Sequence, residues 1–107
     1  MKIYVSGPIS NDPYHADAFG KAYDYLHYLG YDVVNPLDIK SKEFTGPDRE
    51  IKHWDYCMRQ AVKLLMDCDQ VYMLEKWEES RGARIEHQLA VDMCMPRMYE
   101  TEDIERV

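Results

Sequence analysis

Val71-Tyr72-Met73-Leu74, followed by Trp77-Glu78-Glu79-Ser80-Arg81-Gly82-Ala83-Arg84-Ile85-Glu86-His87-Gln88-Leu89-Ala90, is the stretch that decides the fold. The short apolar run reads as a buried strand. It passes through a polar loop into an amphipathic helix with Ile85, Leu89 and Met93 at i, i+4 and i+8. Ser80 is placed as the N-cap, its hydroxyl able to accept from backbone N–H groups of the first turn. Gly82 lets the backbone come close to whatever sits above that turn. Glu86 falls just over a turn into the helix, near the positive end of the dipole, where an ionised carboxylate is favoured. A strand, a Ser/Gly loop and a carboxylate on the opening helix describe a small-molecule site at the C-terminal end of the strand. The plainer reading is a solvated glutamate and a serine that only caps.

Outward from this unit the same grammar repeats. Lys2 to Ser6 is a strand of β-branched and aromatic residues, and Gly7-Pro8 ends it. A glycine directly after the first strand of an α/β unit permits a tight turn and close approach of a ligand, or it simply ends the strand. This falls short of a G-x-G-x-x-G fingerprint, so no dinucleotide site follows. Asp12 as N-cap and Pro13 at the first helical position start a helix running to about Leu29, with Phe19, Ala22, Tyr23, Leu26 and Leu29 facing inward. Gly30 is placed to end it in a left-handed conformation. Tyr31 to Val34 is the second strand, closed by Asn35-Pro36. Asn35 therefore sits on the same side as Gly7, either donating to a sugar or base or shaping the turn.

Leu37 to Pro47 is irregular and reads as a surface loop over the pocket. A long helix follows from about Asp48 to Met66, with Ile51, Trp54, Met58, Ala61 and Leu65 on its apolar stripe. After the Glu86 helix ends near Cys94, Met95 to Tyr99 is a fourth strand and Glu100 to Val107 a charged terminal segment. The order βαβαβαβ predicts α/β architecture: a three-layer parallel sheet with helices on both faces, flavodoxin-like or Rossmann-like. At 107 residues, positions 1–107 form a single domain.

The formal charge of −7 argues against a nucleic acid polymer as partner, since a duplex needs a basic face. A single nucleotide is different, because a few local donors hold one phosphate. No apolar run reaches the length of a membrane span and no signal peptide is evident, so neither a membrane nor export is expected. Cys57, Cys68 and Cys94 are odd in number and lack C-x-x-C spacing, which suits reduced, buried, structural thiols in cytoplasm. His53 and Cys57 at i, i+4 are two ligands without a third, so no metal is expected, and no cofactor either.

Ser80-x-Gly82-x-x-x-Glu86 with Ala90 four residues on, Ile3-Tyr4-Val5-Ser6-Gly7-Pro8-Ile9 near the start, and Val33-Val34-Asn35-Pro36 resemble the nucleoside 2-deoxyribosyltransferase superfamily. The nearest branches are the deoxynucleoside 5′-monophosphate N-glycosidases and the short uncharacterised proteins beside them. The resemblance implies an N-glycosidase or 2-deoxyribosyltransferase acting on a nucleoside or nucleoside 5′-monophosphate, with Glu86 as nucleophile. It implies that Ser80 and Gly82 meet a phosphate and that the turn of Gly7, Pro8 and Ile9 borders the nucleoside. It also implies a homo-oligomer, a dimer or a multiple of dimers, which the abundance of Tyr together with Trp54 and Trp77 supports. Trp77 stacks on a base, covers the pocket edge, or serves a subunit interface. Arg81 and Arg84 either favour a phosphorylated ligand or pair with Glu78 and Glu79 in solvent.

One departure stands out. The family's second carboxylate lies eight residues before the aspartate that introduces the third strand, and eight before Asp69 is Ala61. Asp55 is about 240° round the helix from Ala61 and points elsewhere, whereas Asp48 and Glu50 stand at the helix start near the pocket. Asp69 lies at the wrong end of its strand for catalysis. Besides an enzyme, the sequence therefore admits a nucleotide-binding protein without efficient catalysis, or an oligomeric interaction domain.

Overall fold

Strand β1 (Lys2–Ser6) alternates its side chains between two layers, and the rest of the chain is arranged around that alternation. The computed structural model describes residues 1–8, 13–40 and 42–100. In chain order α1 (Pro13–Tyr28), β2 (Asp32–Val34), α2 (Arg49–Met66), β3 (Gln70–Met73), α3 (Arg81–Asp92) and β4 (Arg97–Tyr99) follow, with 3-10 turns at Pro36–Asp38 and Trp77–Glu79. The four strands form one parallel sheet in the order β2-β1-β3-β4. This is the flavodoxin-like arrangement, in which the winding direction reverses beside β1. Right-handed crossovers then send α1 to one face and α2 and α3 to the other.

In the α1 layer Ile3, Val5, Tyr72 and Leu74 pack with Phe19, Ala22 and Leu26. The opposite layer gathers Tyr4, Val71 and Met73 with Ala61, Leu65, Ala83 and Ala90. Gly30 at φ +95° ends α1, with the Tyr31 N–H donating to the Leu26 carbonyl, as its position predicts. Asp69 ties strand ends together, accepting from the Lys2 backbone N–H at 2.8 Å.

Several expected inner faces are corrected. Tyr23 and Leu29 are exposed, because Phe19, Ala22 and Leu26 already fill the stripe that α1 presents to the sheet. Ile51 is 74% exposed and Trp54 lies at the surface, since the buried residues of α2, Ala61 and Leu65, fall in its second half. The buried face of α3 is Ala83, Glu86 and Ala90, not Ile85, Leu89 and Met93. The helix is turned by about 100°, one residue's step. Small side chains let it lie close on the sheet, and Ile85 and Leu89 flank the contact half-buried while Met93 is exposed. Of the free cysteines only Cys68 is buried; Cys57 is half-buried and Cys94 is exposed at φ +55°. Ile9, Asp12 and residues 101–107 lie outside the described residues.

Candidate functional site

Two hydroxyls on alternate positions of β1 point into the layer of α2 and α3, where they meet the one carboxylate that α3 turns inward. The Tyr4 hydroxyl donates to Glu86 Oε2 at 2.5 Å, and the Ser6 hydroxyl donates to Oε1 at 2.7 Å. Tyr4 and Ser6 are fully buried and Glu86 is 5% exposed. Burial pushes the Glu86 carboxyl above its ordinary value, while the hydrogen bonds from Tyr4 and Ser6 pull it back. Burial, then the adjacent Glu86 charge, pushes the Tyr4 phenol far up, so it remains a donor. The result is a carboxyl held at both oxygens by neutral donors, with no cationic side chain paired to it among the described residues.

Glu86 forms part of the floor of a cleft of about 500 Å³. Tyr4, Gly7, Ala61 and Ala83 share that floor, Pro36, Leu37 and Ile39 form one lip, and the exposed start of α2 forms the other. Ser80 and Gly82 line the α3 side. The Ser80 hydroxyl accepts from the Ala83 N–H at 3.2 Å, so the cap is made as expected. The first-turn amides of Arg81 and Gly82 have no partner within the helix by construction. A Cβ on Gly82 would stand 3.3 Å from Met58 Sδ, which places α2 hard against this turn. At Gly7 a Cβ would meet the Leu74 side chain at 2.8 Å. Glycine is therefore required there by packing against Leu74, whatever ligand the turn borders.

Other expected site residues stand apart. Asn35 accepts from the Leu37 N–H at 2.9 Å and lines a neighbouring groove with Lys63 and Tyr56 instead, so it shapes the turn. Trp77 stacks on His87 at 4.1 Å, away from the Glu86 cleft. Arg84 donates to the Glu78 carbonyl at 2.7 Å and is exposed. Arg81, by contrast, lies over the Trp54 ring at 4.3 Å, joining the start of α3 to α2. Pro8 is half-buried after Gly7 and is not part of the lining.

Ala61 lies on the cleft wall with Glu86. Asp55 pairs outside with Arg59 at 2.9 Å, and Asp48 pairs with Lys52 at 3.2 Å. Glu50 is the acid of α2 that lines the cleft, together with His53, Trp54 and Cys57. Sequence reasoning passed over Tyr4 and Ser6. Their signal was two hydroxyls at i, i+2 in an otherwise apolar buried strand, where each needs a partner. Among the described residues no group of three His, Cys, Asp or Glu side chains is arranged to hold a metal. Among them also, no helix is long and apolar enough to cross a membrane.

A family model described as "Domain of unknown function (DUF4406)" matches residues 1–99. A solved structure described as a 2-deoxyribosyltransferase from the psychrotolerant bacterium Bacillus psychrosaccharolyticus superposes with a TM-score of 0.71. It shares 18% identity over 92% of this chain and 71% of that one, so the likeness is one of fold. No curated protein matches. The nucleoside 2-deoxyribosyltransferase-like fold is thereby shown.

Proposed function

The chain belongs to the DUF4406 family, and we propose that its cleft cleaves the N-glycosidic bond of a nucleoside or nucleoside 5′-monophosphate with Glu86 as nucleophile. The observation that carries this reading is the buried Glu86, held at both oxygens by Tyr4 and Ser6 on a cleft floor. A structural neighbour described as a 2-deoxyribosyltransferase supports it. In this scheme one Glu86 oxygen attacks C1′ as the base departs, giving a glycosyl ester. Water then releases the sugar in a hydrolase, or a second base does so in a transferase. Burial raises the Glu86 carboxyl and the two hydroxyl donors oppose that rise, which favours the charged, attacking form.

Incubation with a panel of 2′-deoxynucleosides and their 5′-monophosphates, with base release followed by chromatography, tests the activity. Wild-type release that Glu86→Gln abolishes supports the reading; release that survives the substitution removes Glu86 from the nucleophile's role. The seat of the phosphate is the first turn of α3, where Ser80, Gly82 and the unpaired amides converge, so a 5′-monophosphate binds more tightly than its nucleoside. Arg81 lies over Trp54 of the cleft lining, whereas Arg84 is occupied by the Glu78 carbonyl.

A second reading is favoured by Ala61: a methyl group where the resemblance implies the second carboxylate suits a nucleotide binder that does not turn over. Nucleotide binding in calorimetry with no base release decides for it. The exposed Trp54 and Leu37 on the cleft lining, with Ile51 exposed on the same helix as Trp54, also support a homo-oligomer that covers them. A monomer by light scattering at micromolar concentration removes that part. Three free thiols suit a reducing, cytoplasmic setting.

A further inference from the structure

With Glu86 read as the nucleophile, the other half of the reaction has no assigned group, and we propose that His53 delivers the proton to the departing base. The inference rests on the reading of the cleft above. When the C1′–N bond breaks its electron pair goes to the base, which leaves readily only if a proton arrives. Tyr4 and Ser6 already commit their hydroxyl protons to Glu86, and Ala61 brings only a methyl group to the same wall. Lys40, Glu50, His53 and Cys57 are the remaining acid–base side chains on the lining.

Their chemistry separates them. By side-chain type, a lysine ammonium holds its proton at neutral pH and a carboxyl has lost it, whereas an imidazole both gives and takes one. Burial pushes the Cys57 thiol up, which makes it a poorer acid. Geometry agrees. His53 shares the cleft face of α2 with Glu50, Trp54, Cys57 and Ala61. It stands about 12 Å of helix rise beyond Ala61, leaving space for a sugar and a base between it and Glu86. Its Nε2 lies 3.7 Å from Cys57 Sγ, and Phe44 meets the ring edge-on at 6.2 Å between centroids. These contacts hold the ring at the lip without burying it. In the step itself, the imidazolium proton passes to a nitrogen or oxygen of the base as the C1′–N bond breaks and the Glu86–C1′ bond forms. The neutral imidazole then takes a proton from the water or incoming base that displaces Glu86 from C1′.

The test pairs an ordinary substrate with an analogue whose base leaves without a proton: the N7-methylated counterpart for a purine, the 5-nitro counterpart for a pyrimidine. His53 is exposed, so His53→Gln and His53→Ala are expected to fold, checked by circular dichroism. His53→Gln slows release of the ordinary base by about a hundredfold or more, and release of the analogue by no more than roughly threefold. Added imidazole restores part of the His53→Ala rate on the ordinary substrate alone. Equal losses on both substrates, or none on either, overturn His53 as the donor and leave the Glu86 reading standing. A wild-type protein that releases neither base overturns that reading, and the role of His53 with it.

Discussion

The two faces of β1 are built from the same five residues and made to different ends. Ile3 and Val5 enter a layer with Phe19, Ala22 and Leu26 in which every buried group is apolar or aromatic. Tyr4 and Ser6 enter a layer that closes over a carboxylate. Burying apolar side chains stabilises by about 1.5–3 kcal/mol each. Burying a carboxyl makes its ionised form costly, and the two hydrogen bonds offset only part of that. The difference teaches that both layers draw stability from apolar burial, but the α3 layer also carries a carboxyl whose ionisation burial opposes, the arrangement that the proposed chemistry would use.

Glu86→Gln breaks the comparison most sharply. Base release is expected to fall at least about a thousandfold, as loss of a nucleophile does, while the fold becomes more stable at neutral pH. The sign follows from the raised carboxyl. A group whose folded value lies above its unfolded one stabilises fully below the unfolded value, 4.5 for this side chain. That stabilisation is lost as pH rises through the folded value. Thermal melts at pH 8 should therefore favour Gln, and the gap should close near pH 4. A variant less stable than wild type at pH 8 would mean that the α3 face is not strained by its charge.

Phe19→Ala attacks the other face. Complete burial predicts a loss of about 3–5 kcal/mol in denaturant unfolding, with the chemistry of the folded fraction unchanged. A selective loss of base release without loss of stability would dissolve the distinction between the faces. Tyr4→Phe sharpens it instead. With one donor gone Glu86 moves further up, so the acid limb of the rate profile shifts to higher pH and the rate at neutral pH falls about tenfold to a hundredfold. An unmoved acid limb would separate Tyr4 from the ionisation of Glu86. Gly82→Ala is the gentlest probe. The added methyl group meets the mobile end of Met58, so stability changes by less than about 1 kcal/mol. The preference for a 5′-monophosphate over its nucleoside should shrink severalfold in calorimetry, and an unchanged ratio places the phosphate elsewhere.

The elements were legible because their signals are local. Gly30 ends α1, Pro13 opens it, and Ser80 caps α3, each through its own backbone or nearest neighbours. Facing was less legible. The stripe of Ile85, Leu89 and Met93 is a sound amphipathic pattern, yet α3 buries Ala83, Glu86 and Ala90. Periodicity ranks side chains by their own hydrophobicity and has no measure of how closely a helix can lie on a sheet. The same limit put Ile51 and Trp54 in the core, although α2 buries only Ala61 and Leu65.

The alternation of strands and helices, and so the parallel three-layer architecture, is determined by the sequence alone, because periodicity, caps and turns act over a few residues. Right-handed crossovers do the rest. Glu86 too stood out from its place after a strand and a Ser/Gly turn. Its environment did not. Tyr4 and Glu86 are 82 positions apart, and the cap of Ser80 says nothing of which hydroxyl will lie beneath the carboxylate. Only the packing of α3 on β1 makes that pair, and only the packing of α2 brings Glu50 and His53 to the lining of the same cleft. A hydrogen bond needs two atoms within about 3 Å, and that is a property of the folded chain, which no local pattern encodes.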